Sequence, residues 1–154
     1  MEGNKQVLEH LNLRLAEELT AINQYVVHAE MCANWGYKKL HEAIEKRAIH
    51  EMKHAEKIIE RILYLEGRPN VSKLNAINIG KDVEAQFQSD LESEKSAVKA
   101  YNDSMKLCVE AGDNGTRELF KSNLIDEEDD VDWLEAQIDQ VKQMGIQNYL
   151  SQQV

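Results

Sequence analysis

The chain has 154 residues, with 18 Lys and Arg against 28 Asp and Glu for a formal net charge of -10. That length supports one domain with its own core, and the acidic balance argues against nucleic-acid binding by phosphate neutralisation while favouring cationic partners. One Pro and seven Gly leave too few turn residues for a sandwich or barrel of short strands, so the expected fold is all-α.

Apolar residues recur at helical spacing over about Asn4 to Trp35, Lys38 to Leu65, Asp82 to Ala111 and Thr116 to Met144. Helices of that length run to roughly 40–45 Å, typical of a four-helix bundle. Gly36 marks a short turn between the first two, and Asp113-Asn114-Gly115-Thr116 another between the last two, with Thr116 read as the N-cap. Gly67-Arg68-Pro69-Asn70 stops the second helix, and one long crossover leads to the third. A short fifth helix is expected over Ile146 to Leu150. Residues 1–154 are thus read as a single domain. The polar stretch Met1 to Gln6 and the lack of any apolar run of about 18 residues predict no signal peptide, no membrane span and a cytoplasmic setting. Cys32 and Cys108 lie within helical patterns, so free thiols are expected.

Each core-facing stripe is interrupted once by an acid. The stripes run Leu11, Leu15, Glu18, Ile22, Tyr25, Ala29; then Ile44, Ala48, Glu51, Ala55, Ile58, Ile62, Leu65; then Val83, Phe87, Leu91, Glu94, Val98, Tyr101, Met105; and Phe120, Leu124, Glu127, Val131, Leu134, Ile138, Val141. An unpaired buried carboxylate costs several kcal/mol, so cations must balance these four. Glu18 to Glu51 and Glu94 to Glu127 are both 33 residues apart, which makes the two hairpins pseudo-symmetric. Four glutamates at one level, with His54 one turn from Glu51, form the ligand set of a carboxylate-bridged dinuclear metal site. Two divalent ions supply +4 against the four carboxylates. Oxygen ligands with an imidazole suit iron or manganese, and zinc could also occupy them.

His50-Glu51-Met52-Lys53-His54 also matches the zinc-hydrolase pattern H-E-x-x-H. With Glu51 facing the core, His50 is rotated about 100° away, and His10, His28 and His41 offer no characteristic downstream ligand motif. His50 is therefore read as a surface residue or a secondary metal ligand.

Over essentially its whole length the chain resembles the bacterioferritins, the haem-containing ferritins. The residues that carry the resemblance are Glu17-Glu18-Leu19-Thr20-Ala21-Ile22-Asn23-Gln24-Tyr25, Glu51-Met52-Lys53-His54-Ala55-Glu56, Arg61-Ile62-Leu63-Tyr64-Leu65-Glu66-Gly67 and Asp132-Trp133-Leu134-Glu135. It implies a ferritin-like bundle and a ferroxidase centre for two iron ions per subunit, with Glu18 and Glu94 as terminal ligands, Glu51 and Glu127 as bridges and His54 on the first iron. It further implies dimers assembling into a shell of 24 subunits that stores oxidised iron. Fe(II) and either O2 or peroxide are the reactants, and a ferredoxin-type protein is the electron donor such a shell would use. Met52 lies about 100° around the helix from Glu51, beside Ile49, Ile59 and Leu63, and so points out of the bundle. Periodicity alone reads it as a buried interface methionine; the resemblance implies a thioether ligand to haem b on the two-fold axis of a dimer. Val27, Met31, Trp35, Ile59 and Leu63 form a second apolar face that predicts such a dimer. Glu66, Asp132 and Asp139 are expected to line acidic pores in the shell.

One position departs from the family pattern. Three residues after Glu127, where the family places a second histidine, stands Asp130, in the run Glu127-Glu128-Asp129-Asp130. Either Asp130 ligates the second metal or it turns outward into the acidic surface. Ligation by Asp130 adds a negative charge that favours Fe(III) at the second position, and in both cases the metal positions are expected to be unequal, with the Glu18 and His54 side filling first and oxidation slower. The same substitution supports an alternative function, a haem-bearing shell subunit with weak or no ferroxidase activity. The inner-surface iron site the family has near Lys46 and His50 is weakened by the lysine.

Overall fold

The computed structural model describes residues 1–154. It is all-helical: α1 (Lys5–Asn34), α2 (Lys38–Tyr64), α3 (Val83–Glu110), α4 (Asn114–Met144) and a short α5 (Ile146–Ser151). Helix α1 pairs with α2 and α3 with α4, and the two hairpins face each other mainly through α1 against α3. No helix is long and apolar enough to cross a membrane.

The ends follow local chemistry. Asn4 Oδ1 accepts from the amides of Gln6 and Val7, and Asp82 Oδ1 from that of Ala85, satisfying donors that a helix N-terminus leaves free. At α4 the sequence reading shifts by three residues. The cap is Asp113, whose carboxylate accepts from the Thr116 amide at 2.9 Å and its hydroxyl at 2.6 Å, because the longer, charged acceptor reaches forward over the first turn. Gly36, at φ 85°, turns the chain from α1 into α2, a backbone conformation costly for other residues. The left-handed residue after α2 is Glu66, at φ 60°, where the Gly67 amide closes onto the Ile62 carbonyl.

Every stripe residue expected to face the core is buried or partly buried. They gather in two apolar clusters. One holds Leu11, Leu15, Ile58, Ile62, Tyr101 and Phe120; the other holds Tyr25, Ile44, Phe87, Leu134 and Tyr149, with α5 packed on it. Between them the four glutamates cross the bundle as a polar belt. Cys32 and Cys108 are free and buried, one in each cluster.

The crossover runs without regular structure from Glu66 to Asp82 and is tied down by a buried polar network. Fully buried His28 pairs through Nδ1 with Asp90 at 3.0 Å and accepts the Gly80 amide on Nε2 at 3.0 Å. Gln24 donates to Asp90 at 2.8 Å and accepts from the Asn78 amide. Because Nε2 is an acceptor, Nδ1 carries the proton and donates to Asp90.

Candidate metal centre

Glu18, Glu51, Glu94 and Glu127 are each at most 2% exposed, and His54 and Asp130 are 5% exposed. Their oxygen and nitrogen atoms fall into two sets of four. Glu18, Glu51, His54 and Glu127 have one donor each within 4.8 Å of one another, and so do Glu51, Glu94, Glu127 and Asp130. Glu51 and Glu127 belong to both sets. Two cations sharing two carboxylates would therefore find four donors each, a bridged pair in geometric terms.

The donor atoms are not satisfied by protein. Glu18 Oε2, Glu51 Oε1, Glu94 Oε2, Glu127 Oε1 and His54 Nδ1 are buried with no hydrogen-bond partner. His54 Nδ1 faces Glu127 Oε1 at 3.2 Å and Glu18 Oε2 at 3.4 Å, while its Nε2 bonds Asp126 Oδ2 at 2.8 Å. A carboxylate on the far nitrogen of an imidazole orients the ring and strengthens its lone pair toward a metal. Buried polar atoms are almost always paired, so five orphans converging on two points are what a cation site requires.

The electrostatics reflect this crowding. Burial, and then the neighbouring carboxylates, push Glu51 and Glu127 well above the usual carboxylate range. Burial also raises Glu94, against the hydrogen bonds it accepts. Burial opposes charge on His54, but Glu18 and Asp126 outweigh it and lift the imidazole to about 9. Glu18 is held low despite its burial by its close neighbours Glu51 and His54 and by the hydrogen bond from Tyr101. In the metal-free chain, then, shared protons and a charged imidazole offset the carboxylates.

The sequence reading missed several partners. Tyr101 on α3 donates to Glu18 on α1 at 2.5 Å, and Tyr25 on α1 donates to Glu94 on α3. A signal for them existed: Glu18 to Glu94, Tyr25 to Tyr101, Glu51 to Glu127 and His54 to Asp130 are all separated by 76 residues. Asp130 thus occupies the position equivalent to His54. It does not turn outward; it is buried and ion-paired with Arg47, whose guanidinium lies 4.2 Å from the ring centroid of Trp133. His50 is exposed, as its rotation from Glu51 required. It lines an open cleft of about 340 Å³ with Lys46, Arg47, Asp126, Asp129 and Asp130. A second cleft, about 240 Å³, reaches Glu18, Glu51, Glu94 and Glu127 from the crossover side, past Asn75 and Asn78.

A long-crossover bundle with paired carboxylates at its middle is the ferritin-like class, and a ferritin-like domain model matches residues 8–144. The chain is 42% identical to a bacterioferritin of Rhodobacter capsulatus over 97% of this chain and 92% of that one. It is 40% identical to a bacterioferritin of Mycolicibacterium paratuberculosis over 99% and 96% of the two chains, and 38% to one of Brucella melitensis over 97% and 92%. The chain belongs to the bacterioferritin family.

Proposed function

We propose that this chain is an iron-storage ferroxidase. Fe(II) is the substrate: two ions bind between the carboxylates, each gives up one electron to O2 or peroxide, and Fe(III) passes into the interior of a shell. The observation that carries this reading is the pair of four-donor sets sharing Glu51 and Glu127. Glu18, Glu51, His54 and Glu127 hold one ion, and Glu51, Glu94, Glu127 and Asp130 the other. The mixed oxygen and nitrogen donors suit iron. Aerobic Fe(II) addition to the assembled protein, followed by near-ultraviolet absorbance of Fe(III), tests it: a fast phase saturating at two Fe per chain is expected. Oxidation no faster than in buffer removes the ferroxidase role.

Asp130 and its ion pair with Arg47 favour a second reading, a shell subunit of weak oxidising activity that serves mainly storage. Slow Fe(II) oxidation with iron still accumulating inside the assembled shell would select it.

Assembly and haem belong to the same reading. Val27, Trp35, Ile49 and Leu63 are 37–58% exposed on the outer faces of α1 and α2, more apolar surface than an isolated subunit would leave uncovered. A two-fold dimer on this face, and 24 subunits in a closed shell, would cover it. Exposed Glu66, Asp132 and Asp139 would give its openings an acidic lining that draws Fe(II) inward. Light scattering that finds only helical monomer at neutral pH overturns the shell. Met52 is 46% exposed on α2, as are Ile49 and Leu63 at 43% and 58%, and its soft sulfur suits a thioether ligand for haem b on the dimer axis. Haem bound there supplies one-electron transfer, for instance from a ferredoxin-type donor. Met52→Leu is expected to abolish the haem absorbance while leaving assembly intact.

A further inference from the structure

In the half of the centre that lacks an imidazole, the residue that replaces it, Asp130, is paired with a protein cation. Arg47 lies one helical turn before Glu51 on α2, and Asp130 one turn after Glu127 on α4. Their ion pair therefore sits one layer along the bundle from the bridging carboxylates, between them and the cleft lined by Lys46, His50, Asp126 and Asp129. The Arg47 side chain is only 13% exposed, one face of its guanidinium rests on Trp133, and its Nε is buried without a partner. Asp130 is thus shared. It contributes an oxygen to the set with Glu51, Glu94 and Glu127, and it also holds Arg47.

Resting on the reading of this cluster as a dinuclear metal centre, we infer that Arg47 is a built-in competitor for the second metal position. A fixed positive charge beside Asp130 repels an incoming divalent ion and engages one of its ligands. The position at Glu18 and His54 has no arginine against its ligands, so it binds without that competition. Filling the second position sets the ion against Arg47 for Asp130, whose Oδ1 the guanidinium already holds. The freed guanidinium keeps its stacking on Trp133 and has Asp129 and Asp126 in the same cleft as alternative partners. Arg47 thereby sets the affinity of the second position, and with it the fraction of subunits that hold two Fe(II) at once, as two-electron chemistry demands.

Anaerobic titration of the assembled, metal-free protein with Co(II), followed by calorimetry and visible absorbance, reads both positions without any turnover. The wild-type chain is expected to take one ion tightly and a second at least about tenfold more weakly. Arg47→Gln should tighten the second by about tenfold and leave the first unchanged. Arg47→Lys, which keeps the charge but loses the planar stack and fork, should fall between them and also serves if the glutamine variant assembles poorly. Asp130→Asn should lose the second ion whether position 47 is Arg or Gln, because the ligand itself is damaged. Two equal ions in wild type, or a second affinity that Arg47→Gln leaves unchanged or weakens, overturns the competitor role and leaves the dinuclear centre standing. No tight Co(II) in wild type or any variant overturns both.

Discussion

The half of the centre around Glu18 and the half around Glu94 share a plan: a glutamate bonded by a tyrosine from the facing helix, and a glutamate common to both donor sets one turn from a further candidate ligand. They part at that candidate ligand. His54 is braced from behind by Asp126, whereas Asp130 is held by a cation. On the proposed metal reading, the same backbone geometry thus yields one donor set open to a metal and one in which a donor is already engaged. Symmetry of the scaffold fixes where donors stand; the partners on their far side decide how available they are.

The comparison is broken most completely at the shared residues. Glu51→Gln removes a donor from both sets, so stopped-flow oxidation of Fe(II) should fall by about 100-fold or more and neither position should bind tightly. Asp130→His would make the halves alike, and since an imidazole cannot pair with Arg47 as a carboxylate does, oxidation should quicken by about tenfold. If the rate is unchanged and crystals of the wild-type protein soaked anaerobically in Fe(II) show equal occupancy, the two halves are functionally equivalent. Tyr25→Phe and Tyr101→Phe each remove a hydrogen bond from one terminal glutamate. A few-fold loss of affinity is expected at the Glu94 position from the first and at the Glu18 position from the second, read by the same Co(II) titration.

Acidity sharpens the contrast further. In the metal-free chain His54 is lifted to about 9 and Glu17, by burial against the pull of Arg14, to about 7. Both keep protons that the unfolded chain releases near the ordinary values of 6.5 and 4.5. Their stabilising contribution is full below those ordinary values and is lost as pH rises through the folded ones. Glu51, Glu94 and Glu127, also shifted upward, act in the same direction, while the lowered Glu18 changes its contribution only below its ordinary 4.5, outside this range. The Tm of metal-free protein is therefore expected to drop by roughly 5 °C or more between pH 6 and 9. Bound metal displaces those protons, so the drop should shrink when both positions are filled.

Helix boundaries and the glutamate belt were legible because both rest on periodicity: a charge at a position that spacing assigns to the core stands out in one dimension. Tyr25 and Tyr101 were placed in the right stripes, but there a tyrosine reads as an apolar residue, and its hydroxyl matters only through a helix dozens of residues away. Arg47 and Asp130 belong to different hairpins, and nothing local joins them. Gln24, His28 and Asp90 were illegible for a further reason. A polar residue can be buried when tertiary partners satisfy it, and its partners here are the crossover backbone and α3. The α4 cap was off by three residues because Asp113 and Thr116 are both competent caps and their mutual bond decides between them.

The crossover also has a bearing on how this protein can change. Were the two hairpins separate, identical chains meeting on a two-fold axis, any substitution in one ligand would recur in the other, and a histidine could be exchanged for aspartate only on both sides at once. Joined by a single covalent strap whose amides dock onto Gln24 and His28, the hairpins keep their facing arrangement yet mutate independently. One donor set is then free to drift in composition and charge while its counterpart stays under constraint.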